Sequence, residues 1–133
     1  MIKALAHVCF HVRDLKRAEE FYCGKLGFRH AFEYFNDKGQ PFGVDLHIGG
    51  RQFLELFRSE VMPPAPAQAY RHLCLEVDDM AATVADFRAK GIEVSDPRPG
   101  TDRSLQAWLA DPEGNRIELH FYTPECKQMA WLK

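Results

Sequence analysis

The sequence predicts an α+β protein of two paired βαβββ modules, with curved mixed sheets around a central cavity. Three observations carry this: an internal repeat, two capped helices that stop at glycine, and strand-like runs after each helix. The repeat aligns His7-Val8-Cys9-Phe10-His11-Val12-Arg13-Asp14-Leu15 with His72-Leu73-Cys74-Leu75-Glu76-Val77-Asp78-Asp79-Met80, 65 residues later. A second match sets Gln52-Phe53-Leu54-Glu55-Leu56 against Asn115-Arg116-Ile117-Glu118-Leu119, 63 residues later. The drift of two residues falls in loops.

Taken in order, the first strand begins at His7 and is followed by a helix over Leu15 to Leu26, with Asp14 as N-cap and Gly27 as its stop. Leu15, Ala18, Tyr22 and Leu26 recur at helical spacing. Strands are predicted at about 28–35, 43–49 and 51–58, with a turn in Asn36-Asp37-Lys38-Gly39-Gln40-Pro41. The second module repeats the plan: a strand from His72, then a helix from Met80 to Lys90 with Asp79 as cap and Gly91 as stop. Strands follow at 92–95, 105–110 and 115–122, with a turn in Asp96-Pro97-Arg98-Pro99-Gly100. Met62-Pro63-Pro64-Ala65-Pro66 suits neither a helix nor a central strand, so it reads as the linker between modules 1–62 and 67–133 of one domain, 1–133. The tail from Thr123 carries Met129, Ala130, Trp131 and Leu132, which call for burial against a partner subunit or a pocket mouth.

Composition narrows the function classes. Apolar residues make up 46% and charged residues 27%, a globular rather than a disordered balance. Seventeen basic against 19 acidic residues leave a formal charge of −2 with no like-charged block, so neither nucleic acid nor an anionic membrane is an expected partner. The stretch from Met1 to His7 has no long apolar run, and Cys9, Cys23, Cys74 and Cys126 have no metal-finger or CxxC spacing. The expectation is a cytoplasmic protein with free thiols.

Strand parity then locates a site. Val8, Phe10 and Val12 share one face while His7, Cys9 and His11 share the other, and Leu73, Leu75 and Val77 are divided in the same way from His72, Cys74 and Glu76. Leu54 and Leu56 oppose Phe53, Glu55 and Phe57; Ile117, Leu119 and Phe121 oppose Arg116, Glu118, His120 and Tyr122. A helix can cover the apolar face, which leaves the mixed face to line a cavity. Any one of these residues is an ordinary strand residue. Two imidazoles and two carboxylates at matched repeat positions, His7, Glu55, His72 and Glu118, argue together for one divalent ion, with zinc, nickel, iron, cobalt and manganese all compatible.

These segments resemble the vicinal oxygen chelate superfamily of glyoxalase I, methylmalonyl-CoA epimerase, bleomycin- and fosfomycin-resistance proteins and extradiol dioxygenases. The likeness lies in His7 to Phe28, Phe53 to Phe57, His72 to Gly91 and Asp111-Pro112-Glu113-Gly114-Asn115-Arg116-Ile117-Glu118-Leu119, nearly the whole chain. It implies the glyoxalase-like fold and a small-molecule substrate in a homodimer. The His, Glu, His, Glu order is similar to glyoxalase I, a lyase that shifts a proton through an enediolate, and it favours zinc or nickel. In that likeness Glu118 is the general base and Glu55 its pseudo-symmetric partner, roles that the two can exchange, and both are catalytic as well as metal-binding. His11, Phe53, Phe57, Trp108, His120 and Tyr122 are the expected substrate-contacting residues, and His47 a lesser candidate. Glyoxalase I typically has an arginine for the glutathione carboxylate where His11 stands, which argues against glutathione being held in that way. A dioxygenase or epimerase of the superfamily, or a non-enzymatic drug-binding protein, are the alternative functions implied.

Overall fold

A computed structural model of the protein describes residues 5–59 and 72–132. The expected linker at 62–66 and the Trp131 side chain lie outside the described residues. The chain divides into two compact units, Met1–Ala69 and Tyr70–Lys133.

The first unit runs β1 (His7–Val12), α1 (Leu15–Glu19), β2 (Arg29–Phe35), β3 (Pro41–Gly49) and β4 (Gln52–Arg58). Asp14 caps α1 as its sequence position predicts, with Oδ1 accepting from the Arg17 amide at 3.0 Å. The helix does not stay α to its end: Glu20–Lys25 is π-helical, and the Leu26 amide reaches the Phe21 carbonyl at 3.1 Å. The wider turn buries Phe21 beside Tyr22, where α periodicity expected Tyr22 alone. Tyr22 then packs its ring on Phe10, Phe21 and Phe28. Gly27, at φ +82°, ends the helix in a backbone region that side chains disfavour.

The sheet order is β1-β4-β3-β2, with β1 parallel to β4 and the other pairs antiparallel. Parallel pairing of β1 and β4 sets Cys9 opposite Glu55, and β3 sets Asp45 opposite Glu55 from the other side. Helix α1 packs on β3 and β4. Phe10, Val12, Val44, Leu46, Leu54 and Leu56 are buried.

The second unit repeats this order with β5 (Leu73–Glu76), α2 (Met80–Ala89), β6 (Arg98–Pro99), β7 (Leu105–Ala110), β8 (Arg116–Phe121) and a terminal α3 (Lys127–Leu132). Its sheet is β5-β8-β7-β6, again with the first and last long strands parallel. Asp79 caps α2 through the Ala82 amide at 2.9 Å. At the other end Ile92 N–H reaches the Phe87 carbonyl and Gly91 N–H the Arg88 carbonyl, each at 3.0 Å, the paired bonds of a glycine-terminated helix. Met80, Val84 and Phe87 are buried, α2 packs on β7 and β8, and Ile117 and Leu119 of β8 are buried as well.

Two local expectations are corrected. Residues 92–95 alternate as a strand should, with Ile92 and Val94 buried, yet form none; Arg88 Nη2 takes the Val94 carbonyl at 2.8 Å in place of a ladder partner. The segment Asp96 to Gly100, expected to be only a turn, contains the two-residue β6, paired with Gln106 and Leu105. The tail turns into α3, where the Lys127 amide bonds the Asp102 carbonyl at 2.9 Å. No helix among the described residues is long and apolar enough to cross a membrane.

Candidate functional site

Each unit brings a histidine at the start of its first strand, His7 in β1 and His72 just before β5, to a glutamate of its last strand. In the first, His7 Nε2 lies 3.3 Å from Glu55 Oε2; in the second, His72 Nε2 lies 3.1 Å from Glu118 Oε2. Both glutamates are the middle member of three strands, since Cys9 and Asp45 flank Glu55 in register as Cys74 and Trp108 flank Glu118.

The surroundings of the two pairs differ. Glu55 Oε1 accepts from the Tyr34 hydroxyl at 3.1 Å, and that hydroxyl also lies 3.2 Å from Asp45 Oδ2. Asp45 is 6% exposed, and its Oδ1 has no hydrogen-bond partner among the described residues. Burial raises the Asp45 carboxyl above the usual range against the lowering effect of Tyr34, and burial with the two neighbouring carboxylates raises the Tyr34 hydroxyl. Tyr34 and Phe42 both pack on Phe57, with ring centroids 5.0 and 5.6 Å away.

Glu118 is held on both oxygens. His120 Nδ1 lies 3.1 Å from Oε1, while His72 takes Oε2. Trp108 stands edge-on to His72 at 5.0 Å, and the Arg116 guanidinium lies over the Trp108 ring. Behind His120 sits Asp102, whose Oδ2 is 3.8 Å from His120 Nε2. Ser104 Oγ and Gln128 Nε2 each donate to Asp102 at 2.6 Å, and these bonds hold its carboxyl well below the ordinary range.

Of the other sequence candidates, Phe57 and Trp108 stand beside the glutamates, and Tyr122 lies edge-on to His120 at 4.7 Å. Phe53 packs on His47, whose Nδ1 meets Arg29 Nη2 at 2.8 Å, and His11 is exposed at the Phe57 register position. All four cysteines are free thiols. Desolvation first, then nearby carboxylates, raise Cys9 and push Cys74 up to about 12. A groove of about 700 Å³ lined by Arg88, Ile92, Val94 and Trp108 touches these residues only through Trp108.

Sequence reasoning passed over Tyr34, Asp45 and Asp102. The signal for Asp45 was available, because it shares strand parity with His47 on a strand opposite Glu55; for Asp102, in a loop, there was none.

The Glyoxalase/Bleomycin resistance protein/Dioxygenase superfamily model matches residues 4–119. The chain belongs to this superfamily. Among solved structures, a glyoxalase family protein from Enterococcus faecalis is similar at 30% identity and TM-score 0.76, over 89% of this chain and 97% of that one. TnmS3, an antibiotic binding protein from Streptomyces sp. CB03234, is similar at 27% and 0.75, over 92% and 98%. A lactoylglutathione lyase from Agrobacterium tumefaciens is similar at 27% and 0.68, over 90% and 94%.

Superfamily members typically bind a metal, and the residues present fit one. Adjacent ligands ~2.0–2.1 Å from a divalent ion stand roughly 3.0–3.4 Å from each other. The His–Glu separations of 3.3 and 3.1 Å fall in that interval.

Proposed function

We propose that the protein is a metal-dependent lyase or isomerase of the glyoxalase I type, in which His7, Glu55, His72 and Glu118 are two halves of one ligand set. The observation that carries the reading is the matched His–Glu contact at equivalent positions of the two units. A divalent ion, zinc or nickel by preference, would supply Lewis acidity to vicinal substrate oxygens.

The chain's own residues do the rest. Glu118 takes a proton from the carbon beside the substrate oxygens and returns it to the neighbouring carbon. Its two oxygens are oriented by His120 and His72, so a near-attack geometry needs little reorganisation. Glu55, restrained by Tyr34, stands in the corresponding place of the first unit. Phe57, Trp108 and Tyr122 provide apolar walls near the glutamates that limit water. The same reading places the protein in the cytoplasm as a homodimer, to be checked by sedimentation.

Elemental analysis of untagged protein, paired with a methylglyoxal-plus-thiol turnover assay, tests it. About one divalent ion per ligand set and turnover to the thioester are expected, with Glu118→Gln lowering kcat at least about 100-fold. Metal without turnover, or full turnover by E118Q, would remove the leading reaction.

A second reading is a binding protein for an aromatic drug, as the likeness to an antibiotic binding protein suggests. The Phe32, Tyr34, Phe42 and Phe57 rings, in contact at 5.0 to 5.6 Å along Phe32–Tyr34–Phe57–Phe42, favour it. Protein free of metal that quenches its fluorescence on adding a planar aromatic antibiotic would select this reading.

A further inference from the structure

We propose that the Tyr70–Lys133 unit carries a divalent-cation site of its own, built from Cys74, Glu118 and His120, which takes zinc, cobalt or nickel without His7 or Glu55. It shares Glu118 with the four-ligand reading but does not rest on it.

One donor atom from each of Cys74, Glu118 and His120 lies within 4.8 Å of the others, the group of this kind found among the described residues. The β5–β8 register sets Cys74 directly opposite Glu118, and His120 follows Glu118 on the same strand face. A thiolate and a carboxylate neutralise a dication, while the imidazole adds a neutral donor. Sulfur, nitrogen and oxygen together favour a borderline-soft ion over magnesium or calcium. Three protein donors also leave a position for water or a substrate oxygen.

The orientation of His120 is the second, independent observation. Both His120 and Glu118 are 6% exposed. His120 turns Nδ1 toward Glu118 Oε1, while its buried Nε2 has no hydrogen-bond partner among the described residues. A polar atom left in that state is costly if the residue only packs. Nε2 nevertheless faces the Asp102 carboxylate at 3.8 Å.

A metal-bound histidine characteristically ligates through one nitrogen and gives its other N–H to a carboxylate. Asp102 is already set for that role by Ser104 and Gln128. A shift of less than 1 Å would bring Nε2 and Oδ2 within hydrogen-bond distance. His72 then serves as the outer partner of the second Glu118 oxygen. Among the described residues the first unit has no equivalent set, because Phe57 occupies the register position that His120 fills in the second.

Cobalt(II) titration of the full chain after chelator treatment tests the proposal. A near-ultraviolet thiolate-to-cobalt band is expected, retained in the H7A/E55Q double variant and lost in Cys74→Ser and His120→Phe. Asp102→Asn should keep the band but weaken cobalt binding about 10–100-fold. Cys74 is exposed, so C74S leaves the core intact, and His120→Gln with circular dichroism of the metal-free protein controls for misfolding of H120F. Cobalt binding with no thiolate band, lost in H7A/E55Q, would overturn this site while supporting the four-ligand set. A band insensitive to H120F and H120Q would overturn it too, and absence of cobalt binding would overturn both.

Discussion

Removing the Tyr34 hydroxyl should destabilise the first unit through Asp45 rather than through the tyrosine itself. The hydroxyl has one proton and two acceptors, Glu55 Oε1 at 3.1 Å and Asp45 Oδ2 at 3.2 Å. Glu55 keeps His7 at 3.3 Å when the hydroxyl is gone. Asp45 fares worse, being 6% exposed with Oδ1 already lacking a partner among the described residues. A hydrogen bond to a charged acceptor contributes roughly 1.5–3 kcal/mol, and an unsatisfied buried group costs about 1–3 kcal/mol. Tyr34→Phe should therefore lower stability by about 2 kcal/mol, within that range. Asp45→Asn removes the buried charge, so adding Y34F to D45N should cost at least ~1 kcal/mol less than Y34F alone. Urea denaturation of metal-free protein, comparing midpoints and slopes, measures both numbers. A Y34F loss under about 0.5 kcal/mol, or strict additivity in the double variant, would refute the reasoning.

Gly43→Ala puts a Cβ 2.4 Å from Phe57 Cδ1, and Tyr34 and Phe42 restrict that ring, so about 1–3 kcal/mol should be lost. Phe57→Leu should recover part of the loss in G43A when midpoints are compared. Asp79→Ala deletes the 2.9 Å cap on Ala82 and should cost about 1 kcal/mol, read from thermal melts followed at 222 nm. Asp102 gives an acid-side prediction. Because its folded carboxyl is held low by Ser104 and Gln128, its contribution is complete above the unfolded value near 3.9 and disappears as pH falls through the folded value. The stability gap between wild type and D102N should accordingly be constant near neutrality and shrink below about pH 4. A gap that widens on acidification contradicts this.

Much of the fold was legible because the repeat placed the same cues twice. Asp14 and Asp79 cap where their sequence positions say, Gly27 and Gly91 stop the helices, and strand parity assigned Leu54, Leu56, Ile117 and Leu119 to the buried face. Parity also put His7 with Glu55 and His72 with Glu118, and register brings each pair into contact. What escaped depended on interactions that periodicity does not encode. The π-helical turn brings Phe21 inward beside Tyr22 without changing a residue. Residues 92–95 have the alternation of a strand, but a single guanidinium takes their carbonyl. Tyr34 reaches Glu55 from the edge strand β2, where irregularities shift the register against β3, and Asp102 reaches His120 from a loop, where no pleat fixes side-chain direction.

Parallel pairing of β1 with β4, and of β5 with β8, has a kinetic consequence. His7 and Glu55 are 48 residues apart in the chain, and His72 and Glu118 are 46 apart. Each contact closes a long loop and belongs to the slow, non-local class of pairings. On a ribosome the histidine emerges well before its glutamate exists, so an early fragment offers a cation only one arm of the clasp. An ion bridging the finished pair would join the start of a unit to its end and oppose the fraying of either.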